Sequence, residues 1–301
     1  MRKTDQNRPD APAHGKQKKE RSQMGEIWHR LKKNKGAMVG LVVAMILIFL
    51  ALFGGLLVDY DTQVIGQNTA ERLQHPSWKH LMGTDEYGRD IFSRIVYGTR
   101  YSISIGVVAV SIALVIGVFL GAVAGYFGGR VEELIMRFTD IFQAIPATIM
   151  SIIIVVCLGQ STFNLMIAIG LTSVPQFVRI TRVAVLTVKD QEFIEASRAL
   201  GVSRARTILS HILPNCLSPI IVQATLRVAT AILSASTLSF LGLGVPVPKP
   251  EWGAMLSAGR KFIRDYSYMT LFPGLAIMVT VLSLNLLGDG LRDALDPKLK
   301  N

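Results

Sequence analysis

The sequence has few of the residues that mark soluble enzymes and disulfide-bonded proteins. Cys157 and Cys216 are its only cysteines, and no CxxC pair occurs, so we expect neither a disulfide nor a cysteine-based metal or redox site. No G-x-x-x-x-G-K-[ST] phosphate loop occurs, which excludes ATP hydrolysis by that route. The five histidines have no catalytic or metal-ligand spacing. We therefore expect a chain that is not an enzyme and holds no cofactor or metal.

Charged residues are also scarce, at 18%, whereas half of the residues are hydrophobic and the mean hydropathy is +0.41. This composition is typical of a membrane protein. A membrane helix needs about 20 mostly apolar residues, and we predict an all-α, polytopic bundle of six transmembrane helices at 37–58, 101–127, 141–158, 162–178, 217–242 and 267–288. No carboxylate lies well inside these runs, although ion-coupled transporters usually need one there.

Basic residues divide unevenly between the segments that flank these helices. Twenty-two Lys and Arg fall in 1–36, 128–140, 179–216 and 289–301, against nine in 59–100, 159–161 and 243–266. Because basic residues collect on the cytoplasmic side, we expect both termini in the cytoplasm and the second set of segments outside. The net charge of +11 then reflects topology and contact with the lipid membrane, and not nucleic-acid binding.

Two stretches combine charged and apolar residues. IWHRLKKNK places Ile27, Trp28 and Leu31 on one helical face, which predicts an interfacial helix before the first span; a solvated charge run is the alternative. Between Asp85 and Val96, charges of both signs alternate with apolar residues. This pattern predicts a helix on the outer surface of the bilayer, with a solvated charged loop as the alternative.

Residues 190–215, which we call the knob, read like soluble protein between two apolar segments. Asp190 is expected to cap a first helix that Gly201 ends in the left-handed conformation, and Ser203 to cap a second helix that Pro214 helps to stop. On the first helix a polar stripe is predicted, and the residues turned away from it are Phe193, Ala196, Ala199 and Leu200. On the second helix the apolar residues that recur at helical spacing are Val202, Ala205, Leu209 and Ile212, so the knob is expected to have a small apolar face of its own.

Three functions are open for the knob on this pattern. A DNA-binding helix-turn-helix would look similar, but a unit tethered at both ends to membrane spans could hardly enter a major groove. A plain connector between two spans is the second possibility. A structured loop of this length usually has a partner, which favours the third, a docking element for a soluble protein.

The knob resembles the EAA loop of bacterial ABC-importer permeases, whose pattern is E-A-A, three residues, Gly, nine residues and I-x-L-P. The matching residues are Glu195, Ala196, Gly201, Leu213 and Pro214. Ser197 replaces the second alanine and His211 stands where isoleucine is usual. MGTDEYGRDIFSRIVYGTRYS, FLGLGVPVPKPEWGAML and GDGLRDALDPK are similar to the C-type permease of dipeptide and oligopeptide importers, from about Trp28 onward.

This resemblance implies a role and a set of partners. The chain would be a non-hydrolytic permease of a bacterial cytoplasmic-membrane importer for di- or oligopeptides, forming the pathway with a second homologous permease. Two cytoplasmic ATPase subunits would bind ATP and Mg and contact the knob, and an extracytoplasmic binding protein would deliver solute. Nickel complexes or glutathione remain open as solutes. A channel or secondary transporter with a regulatory loop, and a membrane scaffold, remain open as other functions.

Two further features concern the helices themselves. Gly117, Gly121 and Gly125 recur every four residues, as does Gly129, which favours close helix packing over simple tolerance of glycine in membrane helices. Arg227 is the one charge near the middle of a predicted span. Because a central arginine is costly in lipid, we expect it to face the partner permease, the pathway or water, or to snorkel to the inner boundary.

Overall fold

The computed structural model describes residues 23–295, and the tail predictions for residues 1–22 and 296–301 lie outside that range. Within it the chain is an all-helical bundle without a strand. Five of its helices are long and apolar enough to cross a membrane, and a bent helix pair would make a sixth span. The predicted fold class is confirmed.

The helices follow one another with short connections, except at two long loops before α3 and α10. Their bounds are α1 Gln23–Lys33, α2 Lys35–Leu57, α3 Ile91–Phe127, α4 Gly129–Ala144, α5 Ala147–Leu158, α6 Thr162–Val188, α7 Glu192–Ala199, α8 204–215, α9 Leu217–Phe240, α10 Trp252–Gly259 and α11 Tyr268–Leu295. A π-helical turn, Tyr60–Val64, and a 3₁₀ turn, Thr69–Glu71, lie in the first long loop.

Helices α3 and α6 pack at the centre, and glycines let them approach closely. A Cβ atom added at Gly117 would lie 2.4 Å from the Cβ of Phe177, and one at Gly121 would lie 2.6 Å from the carbonyl oxygen of Val178. One at Gly125 would lie 2.9 Å from the Cβ of Val185. The three glycines therefore line a contact that no side chain could occupy without moving a helix. Gly129 lies beyond it, and a Cβ there would meet open space.

The segment predicted as a span at 141–158 is not one straight helix. Helix α4 ends at Ala144, and α5 begins after Pro146 with a bend of 88°. Because proline disfavours the helical conformation of the residue before it, Ile145 is extended, with φ −90° and ψ 129°. Helix α5 has 12 residues, and only the α4–α5 pair together has the length to cross.

The other helices differ from their predicted bounds mainly by extending past the apolar runs. Helix α3 begins ten residues before position 101, and α6 continues ten residues past position 178. Ion pairs support the extension of α6, because Arg182 pairs with Glu132 of α4 and Arg179 with Asp140 at 2.6 Å. Helix α11 runs to Leu295, seven residues beyond the predicted end, while α2 and α9 shift by about two residues.

The predicted surface helix between Asp85 and Val96 is wrong, and so is its loop alternative. Asp90 caps α3 by accepting a hydrogen bond from the Ser93 N–H at 2.7 Å. Asp85, Arg89 and Arg94 are all more than nine-tenths buried. Asp85 pairs with both arginines, and Arg94 also donates to the Val64 carbonyl at 2.6 Å.

Helix α1 is amphipathic as its sequence predicts. Ile27 and Leu31 pack with Ala37 and Ala294, so the apolar face contacts α2 and α11. Trp28 is 45% exposed and lies under the Lys32 ammonium at 5.0 Å. The helix joins the first candidate span through Asn34, whose side chain accepts the Ala37 N–H at 3.1 Å.

Candidate functional site

The knob forms a folded unit at the end of α3 that is opposite the two long loops. Its inner face packs on α3, α6 and α9 through a cluster that includes Ile194, Ile212, Cys216, Val185 and Ala122. Ile194 and Ile212 are completely buried. The knob is therefore fixed to three long helices, and a force on it would reach all of them.

Gly201 ends α7 in a Schellman motif. Its φ is +76°, its N–H donates to the Arg198 carbonyl at 2.9 Å, and the Val202 N–H donates to the Ser197 carbonyl at 3.2 Å. The left-handed residue and these two hydrogen bonds are the features of that motif. The conformation predicted for Gly201 is confirmed, and it sets the angle between the two knob helices.

The predicted caps of the knob need correction. The residue at the N-cap of α7 is Gln191 and not Asp190, because α7 begins at Glu192. Ser203 does occupy the N-cap of α8, but its side chain makes no capping hydrogen bond. Pro214 does not stop the helix early, since the helical segment continues through Asn215. The Asn215 side chain instead donates to the His211 carbonyl at 2.7 Å.

The second knob helix is π-helical over Thr207–Ile212. In a π-helix the backbone hydrogen bonds join residues five apart, as between the Leu213 N–H and the Ile208 carbonyl. Thr207 and Ile212, five residues apart, are both fully buried. The wider turn thus replaces the α-helical spacing on which the predicted apolar face rested.

The apolar face that the sequence predicts is largely the solvent face. Leu200 is 83% exposed, Leu209 65% and Phe193 43%, and Ala196, Ala199 and Ala205 are also exposed. The signal that was missed is Ile194 with Ser197, three residues apart on α7 and both buried. The knob therefore presents leucines and a phenylalanine outward, beside several charged side chains.

The residues of the EAA pattern are divided between the two faces. Glu195, Ala196, Gly201 and Pro214 are exposed, and Leu213 is partly buried against the knob's inner cluster. Ser197 is buried, and its hydroxyl finds no hydrogen-bond partner among the described residues. Arg198 lies over the Tyr126 ring of α3 at 5.3 Å. The exposed members are open to solvent, as Leu200 is.

The opposite end of the bundle carries a second exposed apolar group. Trp78 is 98% exposed, Val247 85%, Ile263 58% and Leu81 56%. Below them Glu251 is fully buried and caps α10, accepting the N–H groups of Gly253 and Ala254 at 2.8 Å each. Burial raises the pKa of the Glu251 carboxyl, against the opposing effect of these two hydrogen bonds.

Arg227 lies on α9, close to the middle of that helix, and is partly exposed. Among residues 23–295 no carboxylate approaches it within 4.0 Å. The same described part of the chain contains no group of three or more His, Cys, Asp or Glu that could hold a metal ion.

Comparison with known proteins gives the family. Residues 117–301 match the family described as "Binding-protein-dependent transport system inner membrane component", and residues 22–76 match "N-terminal TM domain of oligopeptide transport permease C". The first match covers more than half of the chain. The chain belongs to this family of transport-system inner membrane components.

Members of this permease family resemble the chain over almost its whole length. A dipeptide transport system permease protein DppC of Alkalihalophilus pseudofirmus is 48% identical over 97% of this chain and 96% of its own. A di/tripeptide transport system permease protein DppC of Pseudomonas aeruginosa is 44% identical over 93% and 94%. A glutathione transport system permease protein GsiD of Escherichia coli is 43% identical over 91% and 90%.

A solved structure shares the permease fold. The MetNI methionine ABC transporter, in an inward-facing conformation, aligns with a TM-score of 0.56 at 18% identity, covering 67% of this chain and 96% of the matched chain. At this identity the likeness concerns the fold of the helix bundle. The knob of this chain remains a candidate site on its own geometry.

Proposed function

We propose that this chain is a permease subunit of an ATP-driven importer for di- or oligopeptides, and that the knob is its contact with the cytoplasmic ATPases. One observation carries the proposal. The knob is rigidly packed on three long helices on one side, yet exposes Leu200, Leu209 and Phe193 on the other. Exposed apolar residues grouped on a rigid element are typical of a protein interface.

The mechanical role follows from how the knob is anchored. It continues from α6 and leads into α9, and its inner cluster also contacts α3. When the two ATPase subunits close around ATP and Mg, a knob seated in a groove of one subunit would move with that subunit as a unit. The motion would then be transmitted to α6 and α9, because no flexible linker separates the knob from either helix.

The remaining partners follow from the rest of the surface. A second, homologous permease would complete the pathway, and an extracytoplasmic binding protein would dock on the opposite end, where Trp78 and Val247 are exposed. In this proposal both termini and the knob lie in the cytoplasm of a bacterial cell, in agreement with the distribution of basic residues. The chain itself binds no ATP, Mg or other cofactor.

Peptides are the favoured solute because relatives at 48% and 44% identity carry the names of dipeptide and di/tripeptide permeases. Glutathione is the second candidate, supported by the relative with that name at 43% identity. It is itself a small peptide with free carboxylates, so both solutes have the same chemical class. A reconstituted importer tested with dipeptides and glutathione in parallel separates the two.

The knob contact is tested by copurification. Leu200→Asp places a charge in the proposed interface, and we expect at least a tenfold loss of ATPase subunits copurified with the permease pair. Leu81→Asp, a leucine also exposed but at the opposite end, is the control and should retain them. Equal recovery of the ATPases with both variants would refute the knob as the contact. Failure of the wild-type complex to import any dipeptide would refute the function.

A further inference from the structure

Helix α9 exposes a polar face along a candidate membrane span. Its positions are Gln223, Arg227, Thr230, Ser234 and Thr237, spaced by four, three, four and three residues. At 100° per residue they lie within an arc of about 80°. The opposite face, with Ala231, Ile232, Ala235 and Leu238 among others, is buried in the bundle.

Other spans of the same chain have exposed faces of a different kind. On α2 the exposed positions include Val42, Met45, Ile46, Phe49, Leu52, Phe53 and Leu56, and on α11 they include Leu271, Leu275, Met278 and Leu282. Such faces suit contact with lipid tails. A face with an arginine and a glutamine does not, because polar groups in the hydrocarbon region are costly unless they meet protein or water.

A cleft with basic side chains lies at each end of α9, and the one at the knob end is lined by a residue of the polar face. At the knob end, Gln223 donates to the Gln176 side chain at 3.3 Å and lines a cleft of about 490 Å³ that also contains Arg292. At the other end, Gly242 lies in a cleft of about 400 Å³ with Arg260 and Lys261. No carboxylate is among the described residues that line either cleft.

We propose that the polar face of α9 is this chain's wall of the water-filled solute pathway, and that Arg227 is a fixed positive charge within it that favours solutes carrying a carboxylate. The inference rests on the proposed function, and it adds the helix face and the charge. A dry contact with the second permease is the competing arrangement, since Ser and Thr also occur at packed helix interfaces. The cleft that Gln223 lines at the knob end, with Arg292 in its wall and no carboxylate, favours water.

The test measures water access in the complete importer, with both permeases, the ATPases and the binding protein in proteoliposomes. Cys157 and Cys216 are first replaced by serine and alanine, and single cysteines are introduced as Thr230→Cys and Ser234→Cys. Leu275→Cys and Leu282→Cys on α11 are the controls. We expect the α9 cysteines to react with charged methanethiosulfonates at least tenfold faster than the controls. Reaction no faster than at the controls would overturn the proposal.

The charge is tested by the ratio of the rates for an anionic and a cationic methanethiosulfonate at Ser234→Cys. Arg227 lies seven residues away, about 10 Å along the helix. At about 10 mM ionic strength, Arg227→Gln should lower the anionic-to-cationic ratio about two- to fourfold, and Arg227→Lys should preserve it. An unchanged ratio in Arg227→Gln would refute the fixed charge.

The two proposals fail in different ways. Dipeptide uptake by the cysteine-free complex before modification reports on the proposed function alone, and its absence would refute that function. Normal uptake together with unreactive cysteines on α9 would leave the function standing and refute only the pathway wall.

Discussion

Arg89 donates a hydrogen bond to Asp85 across 2.7 Å, and both residues are more than nine-tenths buried. The same carboxylate lies 3.7 Å from Arg94 and accepts the N–H groups of Tyr87 and Arg89 at 2.9 and 3.0 Å. One carboxylate thus holds the turn before α3 and compensates two buried arginines.

We predict that Asp85→Asn destabilises the protein strongly. It leaves both guanidinium groups buried without a counter-charge, which costs about 3–5 kcal/mol and should lower Tm by about 10 °C. Asp140→Asn is the control, because the Arg179–Asp140 pair is half exposed and should contribute less than about 1 kcal/mol. Thermal unfolding of purified protein measures both. Similar Tm values for the two variants would contradict the role of the cluster.

A second prediction concerns the contact between α3 and α6. Gly121→Ala would place a methyl group 2.6 Å from the Val178 carbonyl oxygen and 2.7 Å from the Thr181 Cβ. One helix must then move, at a cost of about 1–3 kcal/mol. At Gly55 on α2 the nearest atom belongs to the Tyr97 side chain, at 3.5 Å, so Gly55→Ala should leave Tm unchanged. Unchanged Tm in Gly121→Ala would mean that the helices can separate freely there.

Most of the bundle could be predicted because uncharged runs of sufficient length are a direct consequence of the lipid environment. The same measure identifies only the part of a helix that is apolar. It missed the extension of α6, which ion pairs such as Arg182–Glu132 support. The apolar run alone does not show the bend between α4 and α5, since apolar residues continue through it, but Pro146 itself indicates a kink or a helix start there.

The knob shows a different limit. Its existence and the conformation of Gly201 could be predicted, because a glycine between two helical patterns has a specific backbone meaning. Its buried face could not. On α8, α-helical periodicity does not hold across the π-helical turn that contains Thr207 and Ile212, and on α7 the buried pair Ile194 and Ser197 includes a polar residue. Whether Glu195 and its neighbours contact an ATPase depends on a surface belonging to another chain, and that contact remains a prediction.

The pH dependence of stability should report on Glu251. Burial raises the pKa of its carboxyl above the ordinary 4.5, so its contribution to stability is full below pH 4.5 and is lost as pH rises through the raised value. Glu251→Gln removes this loss. Between pH 4.5 and 7.5 the Tm of the variant should therefore fall less, or rise more, than the Tm of wild type. Glu71→Gln should have the opposite effect on the dependence of Tm on pH. Lys79 lowers the pKa of Glu71, so the variant lacks a contribution to stability that wild type gains as pH rises. The same slope in Glu251→Gln and wild type would contradict the prediction.

The orientation is tested by thiol labelling in intact cells that produce a variant of the protein without its two native cysteines. Asn68 lies in the long loop before α3 and Ser203 in the knob, and both are exposed. Because the basic residues favour a cytoplasmic knob, an impermeant maleimide should label Asn68→Cys and should not label Ser203→Cys until the cells are opened. Labelling of Ser203→Cys in intact cells would reverse the topology.

The last prediction separates coupling from folding. Gly201 has φ +76°, and a Cβ atom there would meet nothing within 4 Å, so Gly201→Val acts through backbone conformation and not through a clash. A β-branched residue strongly disfavours positive φ, and the angle between α7 and α8 should change. The spans keep their apolar lengths and should still insert. We expect a variant that pairs with the second permease but loses at least tenfold in ATP hydrolysis stimulated by the loaded binding protein.

Gly159→Val is the matched control for this variant. Gly159 has φ +86° and ψ 159° and is equally open, so valine there introduces strong backbone strain between α5 and α6, outside the knob. Its stimulated ATPase activity should therefore exceed that of Gly201→Val when both are measured in proteoliposomes with all partners present. If Gly201→Val instead hydrolyses ATP and imports dipeptide at near-normal rates, the knob is a connector between two spans, and the coupling contact must be sought elsewhere on the chain.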